Sequence, residues 1–346
     1  MLRTLDLFCG CGGLSLGFKQ AGFDIVAGID NDPEALQTFS LNFKNSTAFC
    51  TDISKNSEIP FTELGEIDVI LGGPPCQGFS IAGKRQADDP RNLLSDAYID
   101  IVRRLNPKAI VIENVPNILN MANGKFRENI TRQLEALGFK VSIEKLNSAD
   151  FGVPQNRRRV FFIATKKDYI WSSEIELLKT NRLITCKEAL DDLPTLNDTL
   201  GQEKQDYIKK PQNEFQALMR SKSTHVYNHI SVDHKEATKN TIAQVPDGGN
   251  YKDLPLNLQS TRKVNIAWTR MNSNKPCFTI DAGHNHHFHY EQNRVPTVRE
   301  CARIQSFPDH FLFVGKRTSQ YRQVGNAVPP LIAEKLGTLI KGLISK

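Results

Sequence analysis

The 346-residue chain has no apolar run approaching the roughly 18–20 residues that a membrane-spanning helix needs, and no basic-then-apolar leader. A membrane span and an export signal are therefore not expected, and a cytoplasmic protein is. Cys-x-x-Cys pairs are absent too. The seven cysteines, Cys9, Cys11, Cys50, Cys76, Cys186, Cys277 and Cys301, are odd in number and scattered, which disfavours both a disulfide framework and a zinc ribbon. Thiols in a reducing compartment are the expectation, with room for one of them to be chemical. Cys9-Gly10-Cys11 is half a tetrahedral metal set with no partner pair nearby, so no metal is expected there. No charge of one sign dominates: 44 Lys and Arg stand against 38 Asp and Glu, a net +6. That balance permits a nucleic-acid surface without demonstrating one, so any case for such a partner must come from motifs. Internal repeats and low-complexity tails are also missing.

What is present is enough apolar sequence, 39% of the chain, for one large core and one satellite core. The first ~165 residues alternate apolar runs with helical patterns, the signature of an α/β fold with a mostly parallel sheet. Strands are expected at Thr4–Phe8, Ile25–Ile29, Val69–Leu71, Ala109–Ile112, Lys140–Glu144 and Val160–Ala164. Helices are expected at Gly13–Ala21, Asp32–Phe43, Leu93–Leu105 and Phe126–Leu137, the second with Pro33 and acidic residues in its first turn. From about Trp171 to Asn293 periodicity weakens and turn signals multiply, as in Pro246-Asp247-Gly248-Gly249. So long a stretch is better read as a small irregular domain than as a loop. Helices Val298–Gln305 and Pro330–Leu343 follow, and the apolar stripe of the latter suits packing back onto the first domain. The expected division is residues 1–175 plus 318–346 as one domain and 176–317 as the other.

The first strand runs into Cys9-Gly10-Cys11-Gly12-Gly13 and then a helix. Glycines there admit a ligand close to the backbone, and helix N-terminal amides favour an anionic group, although glycine turns also serve tight packing alone. Asp30 ends the second strand, where a carboxylate commonly accepts from ribose hydroxyls; its plainer role is to cap the next helix. Asp52 offers a second carboxylate at the same sheet edge. Together they suit a nucleoside-bearing cofactor without separating a dinucleotide from S-adenosylmethionine.

The sharpest signal is Gly72-Gly73-Pro74-Pro75-Cys76-Gln77-Gly78-Phe79-Ser80, directly after a strand. Two prolines stiffen the turn and bring one thiol to the carboxyl edge of the sheet, where ligands bind in such folds. Glu113-Asn114-Val115 follows the next strand, so Cys76 and Glu113 are expected at the mouth of one cleft. Singly, each has a structural reading, a buried Cys and a Glu paired with an Arg. Together they offer a nucleophile and an acid to one substrate. Carbon 5 of cytosine is a poor nucleophile. A thiolate added at carbon 6, with an acid at ring nitrogen 3, makes it reactive; loss of the carbon 5 proton then expels the thiol. The thiolate is only about 3% of an unperturbed Cys at pH 7.

These pieces, with Asp6-Leu7-Phe8-x-Gly10-x-Gly12-Gly13, Gln155-x-Arg157-x-Arg159, Arg299-Glu300-x-Ala302-Arg303-x-Gln305-x-Phe307-Pro308 and Gly325-Asn326-Ala327-Val328, stand in one order along the sequence. The protein resembles the DNA (cytosine-5)-methyltransferases found with bacterial restriction systems, from Asp6 to near the last residue. The resemblance implies a Rossmann-like S-adenosylmethionine-dependent methyltransferase sheet with a smaller irregular target-recognition domain. It implies that Phe8, Gly10 and Gly12 line the S-adenosylmethionine site, with Asp30 on the ribose and Asp52 near the adenine amino group. Pro75 would stand at the cofactor–base boundary and Asn326 at the methionine end. Cys76 becomes the nucleophile, Glu113 holds the cytosine edge, Arg159 contacts the ring oxygen, and Arg157 orients the site or a phosphate. Residues 78–92, with Lys84 and Arg85, resemble the loop that closes over DNA while a base is held out of the helix, a step the chemistry requires. Gln77, directly before this stretch, and Ser80 within it are DNA-contact candidates.

By the same resemblance the region from about Arg182 to Asn293 selects the DNA sequence. Lys275-Pro276-Cys277-Phe278-Thr279-Ile280 places Thr279 near the target base, and Arg262, Lys263 and Arg270 are candidates for phosphate or guanine contacts. His284, His286, His287 and His289 cluster in an Asn-rich turn without paired cysteines, which leaves DNA contact or a solvated loop ahead of a metal. The expected partners are double-stranded DNA and a restriction endonuclease acting on the same site, with the protein a monomer. Two alternatives remain open: a tRNA cytosine-5 methyltransferase, disfavoured by the Gly78-Phe79-Ser80 continuation and the long middle region, and a DNA-binding regulator with degenerate catalysis.

Overall fold

The computed structural model describes residues 1–75, 90–196, 199–259, 268–282 and 287–345. Among them, one seven-stranded sheet is built from β1 (Arg3–Leu7), β2 (Asp24–Asp30), β3 (Thr47–Cys50), β4 (Val69–Gly72), β5 (Ala109–Asn114), β6 (Lys140–Asn147) and β7 (Arg158–Thr165). Their spatial order is β3-β2-β1-β4-β5-β7-β6. The first five run parallel, and β7 is antiparallel to both β5 and β6. Val69, Ile70 and Leu71 of β4 and Ala109, Ile110 and Val111 of β5 are fully buried, as strands covered on both faces require, and for that reason their sequence is a continuous apolar run. β6 is an edge strand with Lys140 and Lys145 exposed, charges that discourage pairing with another protein.

Helix α1 (Gly13–Gln20) and helix α2 (Pro33–Asn42) make the first two crossovers. Asp32 stands just outside α2, and its Oδ1 accepts from the amides of Glu34 and Ala35 at 3.1 and 3.3 Å. The helix therefore begins at Pro33, capped by the Asp32 carboxylate. Leu5, Leu7, Ile29, Ile70, Ile110 and Ile112 join Tyr98, Ile99 and Val102 of helix Pro90–Leu105 and Ile130 and Leu134 of helix Lys125–Ala136 in one core. The last helix, Pro330–Ile344, buries Ile332, Ala333, Leu336 and Ile340 and lies against α1, with Lys341 Nζ donating to the Ala21 carbonyl at 3.1 Å.

The protein forms two compact units: Met1–Asn147 with Arg158–Lys179 and Val328–Lys346, and Ser148–Arg157 with Thr180–Ala327. The connection between β6 and β7 and the helix Arg317–Asn326 thus pack with the second unit. Hydrogen bonds explain this: Gln155 Nε2 donates to Gln305 Oε1 at 2.8 Å, the Ile280 amide donates to Gln155 Oε1 at 2.9 Å, and Gln305 Nε2 donates to the Val324 carbonyl at 2.7 Å.

Among its described residues the second unit has short helices and two small sheets, β8 (Lys204–Asp206) antiparallel to β9 (His225–Tyr227) and β10 (Thr269–Arg270) parallel to β11 (His287–Phe288). One small apolar cluster holds Ile242, Val245, Leu254, Trp268, Phe288 and Val295. Buried charge supplements it. Arg303 donates to both oxygens of Asp309 at 2.6 Å and to Asp192 Oδ1 at 2.9 Å. Arg299 donates to the carbonyls of Tyr227 and Phe311 at 2.9 and 2.7 Å. Glu300 completes a capping box with Thr297 and takes a two-pronged contact from Arg294 at 2.8 and 2.6 Å. Such multiply satisfied pairs specify one arrangement of segments that carry little apolar pattern.

Candidate active site

The sheet order turns back at β1 and β4, and the carboxyl ends of strands beside such a reversal are where ligands bind in open α/β sheets. At the end of β1, Phe8, Gly10 and Gly12 take positive φ values of 62°, 54° and 96°. For Phe8 that conformation is strained, a cost retained where surrounding structure imposes it. A Cβ on Gly12 would sit 2.5 Å from the Phe43 ring, whereas nothing lies within 4 Å of one on Gly10. Asp30 holds the loop: its Oδ2 accepts from the Gly10 amide at 2.8 Å and its Oδ1 from the Asp32 amide at 2.9 Å. Burial raises the Asp30 carboxyl above the usual range, opposed by those amides. β2 pairs with β3 up to Asp30 opposite Cys50, which brings the turn of Asp52 to the same edge. Asp52 Oδ1 accepts from the Ser54 amide at 2.9 Å.

Beneath this loop Asp6 is buried and receives the Ser15 hydroxyl at 2.5 Å. Desolvation pushes its carboxyl up to about 7 against the pull of that bond.

One step across the sheet, Gly72 of β4 lies opposite Ile112 of β5, so Gly73-Pro74-Pro75 and Glu113-Asn114 leave adjacent strand ends. Glu113 is 8% exposed, and its Oε1 lies 2.9 Å from Nε of Arg159 on β7. Its Oε2 lies 3.6 Å from where a Cβ on Gly73 would be. Asn114 Nδ2 donates to the Pro74 carbonyl at 2.8 Å. The carboxyl, the guanidinium and the backbone of Gly73-Pro74 therefore converge. Asn114 was not singled out from the sequence. The available signal was an amide side chain directly after the acid at a strand end, with two prolines, which lack N–H groups, shortly after the preceding strand.

Cys76, Gln77, Ser80, Lys84, Arg85, Arg262 and Lys263, with His284 and His286, lie outside the described residues. Among the described cysteines, burial pushes the thiols of Cys9, Cys277 and Cys301 up and that of Cys11 to about 12, which suits packing and not thiolate chemistry.

Arg270 takes a different place from that expected, and Arg157 loses one of its two expected roles, the phosphate contact. Arg270 is 4% exposed and donates to the carbonyls of Val245, Ile242, His289 and Gln292 and to Asn293 Oδ1. Its donors serve the interior of the second unit and leave none for a phosphate or a guanine. Arg157 is 1% exposed and donates to the Ile280 carbonyl at 3.1 Å, a buried tie within the second unit, so it does not meet a DNA phosphate. Thr279 is half-buried, with its hydroxyl on the Asn156 carbonyl at 2.8 Å. Pro75 is exposed, as is Asn326, the final residue of its helix in the second unit. His289 is fully buried, its Nδ1 accepts from the amides of Glu291 and Gln292, and burial lowers its pKa to about 3. It is a neutral structural histidine.

Sheet, glycine loop and acid–guanidinium pair define the class: the fold is that of the S-adenosylmethionine-dependent methyltransferases. Comparison with known proteins narrows it. A model of the C-5 cytosine-specific DNA methylase family matches residues 2–342. The chain is 39% identical over 368 positions to the type II methyltransferase M.DdeI of Desulfomicrobium norvegicum, spanning 98% of this chain and 88% of that protein. It is 36% identical over 345 positions to M1.HphI of Haemophilus parahaemolyticus, spanning 98% and 86%. A solved E. coli structure assigned as a prophage-encoded DNA modification methyltransferase superposes with a TM-score of 0.83 at 28% identity, over 100% of both proteins. The S. pombe Dnmt2 methyltransferase shares the fold, with a TM-score of 0.66 at 18% identity over 100% and 99%. The chain belongs to the C-5 cytosine-specific DNA methylase family, and it is a DNA (cytosine-5)-methyltransferase. No helix among the described residues is long and apolar enough to cross a membrane.

Proposed function

We infer that the protein methylates carbon 5 of a cytosine within a specific sequence of double-stranded DNA, through a covalent bond from Cys76, with S-adenosylmethionine as donor. The observation that carries this reading is the convergence of Glu113, Arg159 and Gly73-Pro74 at one strand edge, two residues before Cys76. The Gly10–Gly12 loop fits the donor. It is open above Gly10, backed by the carboxylates of Asp30 and Asp52, which suit hydroxyl and amino groups, and flanked by the half-buried Phe8 ring. When bound, S-adenosylmethionine supplies an electrophilic sulfonium methyl.

The remaining chemistry falls to the protein's own residues. Cys76 Sγ, as thiolate, adds to carbon 6 of the cytosine, while Glu113 provides the proton at nitrogen 3 and Arg159 holds the carboxyl and the ring oxygen. The electron pair gathered at carbon 5 takes the methyl. Loss of the carbon 5 proton to solvent or a nearby base, with the nitrogen 3 proton returned to Glu113, then restores the ring double bond and expels Cys76 as thiolate. Burial of Glu113 and Arg159 strengthens these contacts relative to water. The target base must leave the duplex stack to reach them. The second unit serves as the sequence reader. The protein acts in the cytoplasm as a monomer. Its pairing with a restriction endonuclease for the same site accords with the type II names of its relatives.

A tritiated-methyl transfer assay on duplex DNA and on tRNA tests this, with Cys76→Ser as control and bisulfite sequencing of DNA from expressing cells to locate the product. Label in DNA that disappears with Cys76→Ser is expected. Label in tRNA alone, or transfer to DNA that survives the substitution, overturns it.

A further inference from the structure

Pro74 and Pro75 carry no N–H, so the turn that leads to Cys76 cannot be tied down by its own amides at these two positions. It can be held only through its carbonyls or by packing. Asn114 supplies the tie. Its Nδ2 donates to the Pro74 carbonyl at 2.8 Å, and its Oδ1 accepts from the Val115 amide at 2.9 Å. Only 5% of the residue is exposed. Both ends of the amide are engaged, so its orientation is determined: reversing it would set oxygen against the Pro74 oxygen and NH₂ against the Val115 N–H. Beside it, Arg159 holds Glu113.

We propose that Asn114 is a positioning residue for Cys76, fixing the direction in which the backbone leaves Pro74 and hence the approach of the thiolate to a cytosine held by Glu113. The proposal rests on the covalent reading above. A misplacement of about 1 Å in such a group is enough to lower a rate about 10²-fold.

The test uses the full-length protein with Asn114→Asp and Asn114→Ala. The Asp side chain is nearly isosteric and keeps the acceptor for Val115. Ionised, it repels the Pro74 carbonyl; protonated, it donates to it, and burial favours the protonated form. Single-turnover methylation of duplex DNA is followed from mildly acidic to mildly basic pH, alongside covalent capture by a duplex carrying 5-fluorocytosine. Both variants are expected to lose about 10²-fold in rate at basic pH, with DNA and donor affinities near those of the wild type. As the pH falls, the Asp variant regains about tenfold relative to wild type, while the Ala variant does not. An Asp-to-wild-type ratio independent of pH, or affinities that fall in step with the rate, overturns the positioning role. Should Asn114→Ala not fold, the Asp ratio decides alone, since it compares one variant with itself. If the wild type is captured at Cys76 and the variants equally fast, only the role of Asn114 fails. If the wild type is not captured at Cys76, the covalent reading fails and takes this proposal with it.

Discussion

Replacing Arg270 with methionine removes every donor from a cluster of buried acceptors while keeping much of the aliphatic stem. The wild-type guanidinium serves the carbonyls of Ile242 at 2.6 Å, Val245 at 2.7 Å, His289 at 3.0 Å and, at longer range, Gln292 at 3.4 Å, with Asn293 Oδ1 at 2.8 Å. A buried acceptor left without a partner costs about 1–3 kcal/mol. With some relaxation and water entry, a total of about 3–5 kcal/mol is expected, at the extreme of single substitutions. For a unit of roughly 150–250 residues each kcal/mol moves the midpoint by about 2–4 °C, so the second unit should melt about 6–20 °C lower. Trp171 belongs to the first unit and Trp268 to the second, so a Trp171→Phe background gives a fluorescence signal from the second unit alone. Well below the transition, the salt dependence of DNA binding should match that of the wild type. Loss of a phosphate contact would instead flatten the log–log slope by about 0.9. A midpoint shifted by less than about 2 °C together with a flatter slope would refute the structural role.

Two further substitutions test packing and charge. In Gly325→Ala the new Cβ would lie 2.5 Å from the backbone carbonyl carbon and oxygen of Asp281 and 2.7 Å from the Ala282 amide nitrogen. Backbone cannot step aside as the tip of a side group can, so a loss of about 1–3 kcal/mol or more is expected in urea melts, and an unchanged midpoint would count against the close approach. Asp6→Asn should stabilise the protein at basic pH. With the folded carboxyl at about 7 and the unfolded one near 4, the folded state holds the extra proton between those values, so wild-type stability falls as pH rises through that window. The cost reaches as much as about 4 kcal/mol above it. Asn stays neutral and still accepts from Ser15. The variant should therefore exceed the wild type at pH 8 and converge with it near pH 4, and the reverse order would contradict the assignment.

The sheet and its reactive edge were legible because their signals are local. Val69–Leu71 and Ala109–Ile112 are apolar runs that end directly in Gly73-Pro74-Pro75 and Glu113-Asn114, so strand and chemistry arrive together. Direction is not local: Val160-Phe161-Phe162-Ile163-Ala164 reads the same either way, and the reversal of β7 between β5 and β6 follows from the pairing. β3 was visible only as a strand region, since its four residues sit half-covered at the sheet edge. β8 to β11 are two or three residues long, too short for any periodicity. Arg270 as a DNA contact and Arg157 as a phosphate contact were misjudged for one physical reason. An arginine in a polar stretch looks solvated until its acceptors are known, and here most of those acceptors are backbone carbonyls, which leave no mark in the sequence. The same holds for Arg299. For Arg303 the partners Asp192 and Asp309 are visible residues, but the sequence distance to Asp192 hides the pairing.

The most direct measurement is covalent capture by duplex DNA that carries fluorine at carbon 5 of the target cytosine, in the presence of S-adenosylmethionine, followed by peptide mass spectrometry. Fluorine cannot leave as a proton, so the enzyme should remain bonded to carbon 6 through the peptide that contains Cys76, and Cys76→Ser should give no adduct. Methylation of ordinary duplex without any adduct on the fluorinated one, or an adduct mapped to Cys9 or Cys277, would contradict the mechanism.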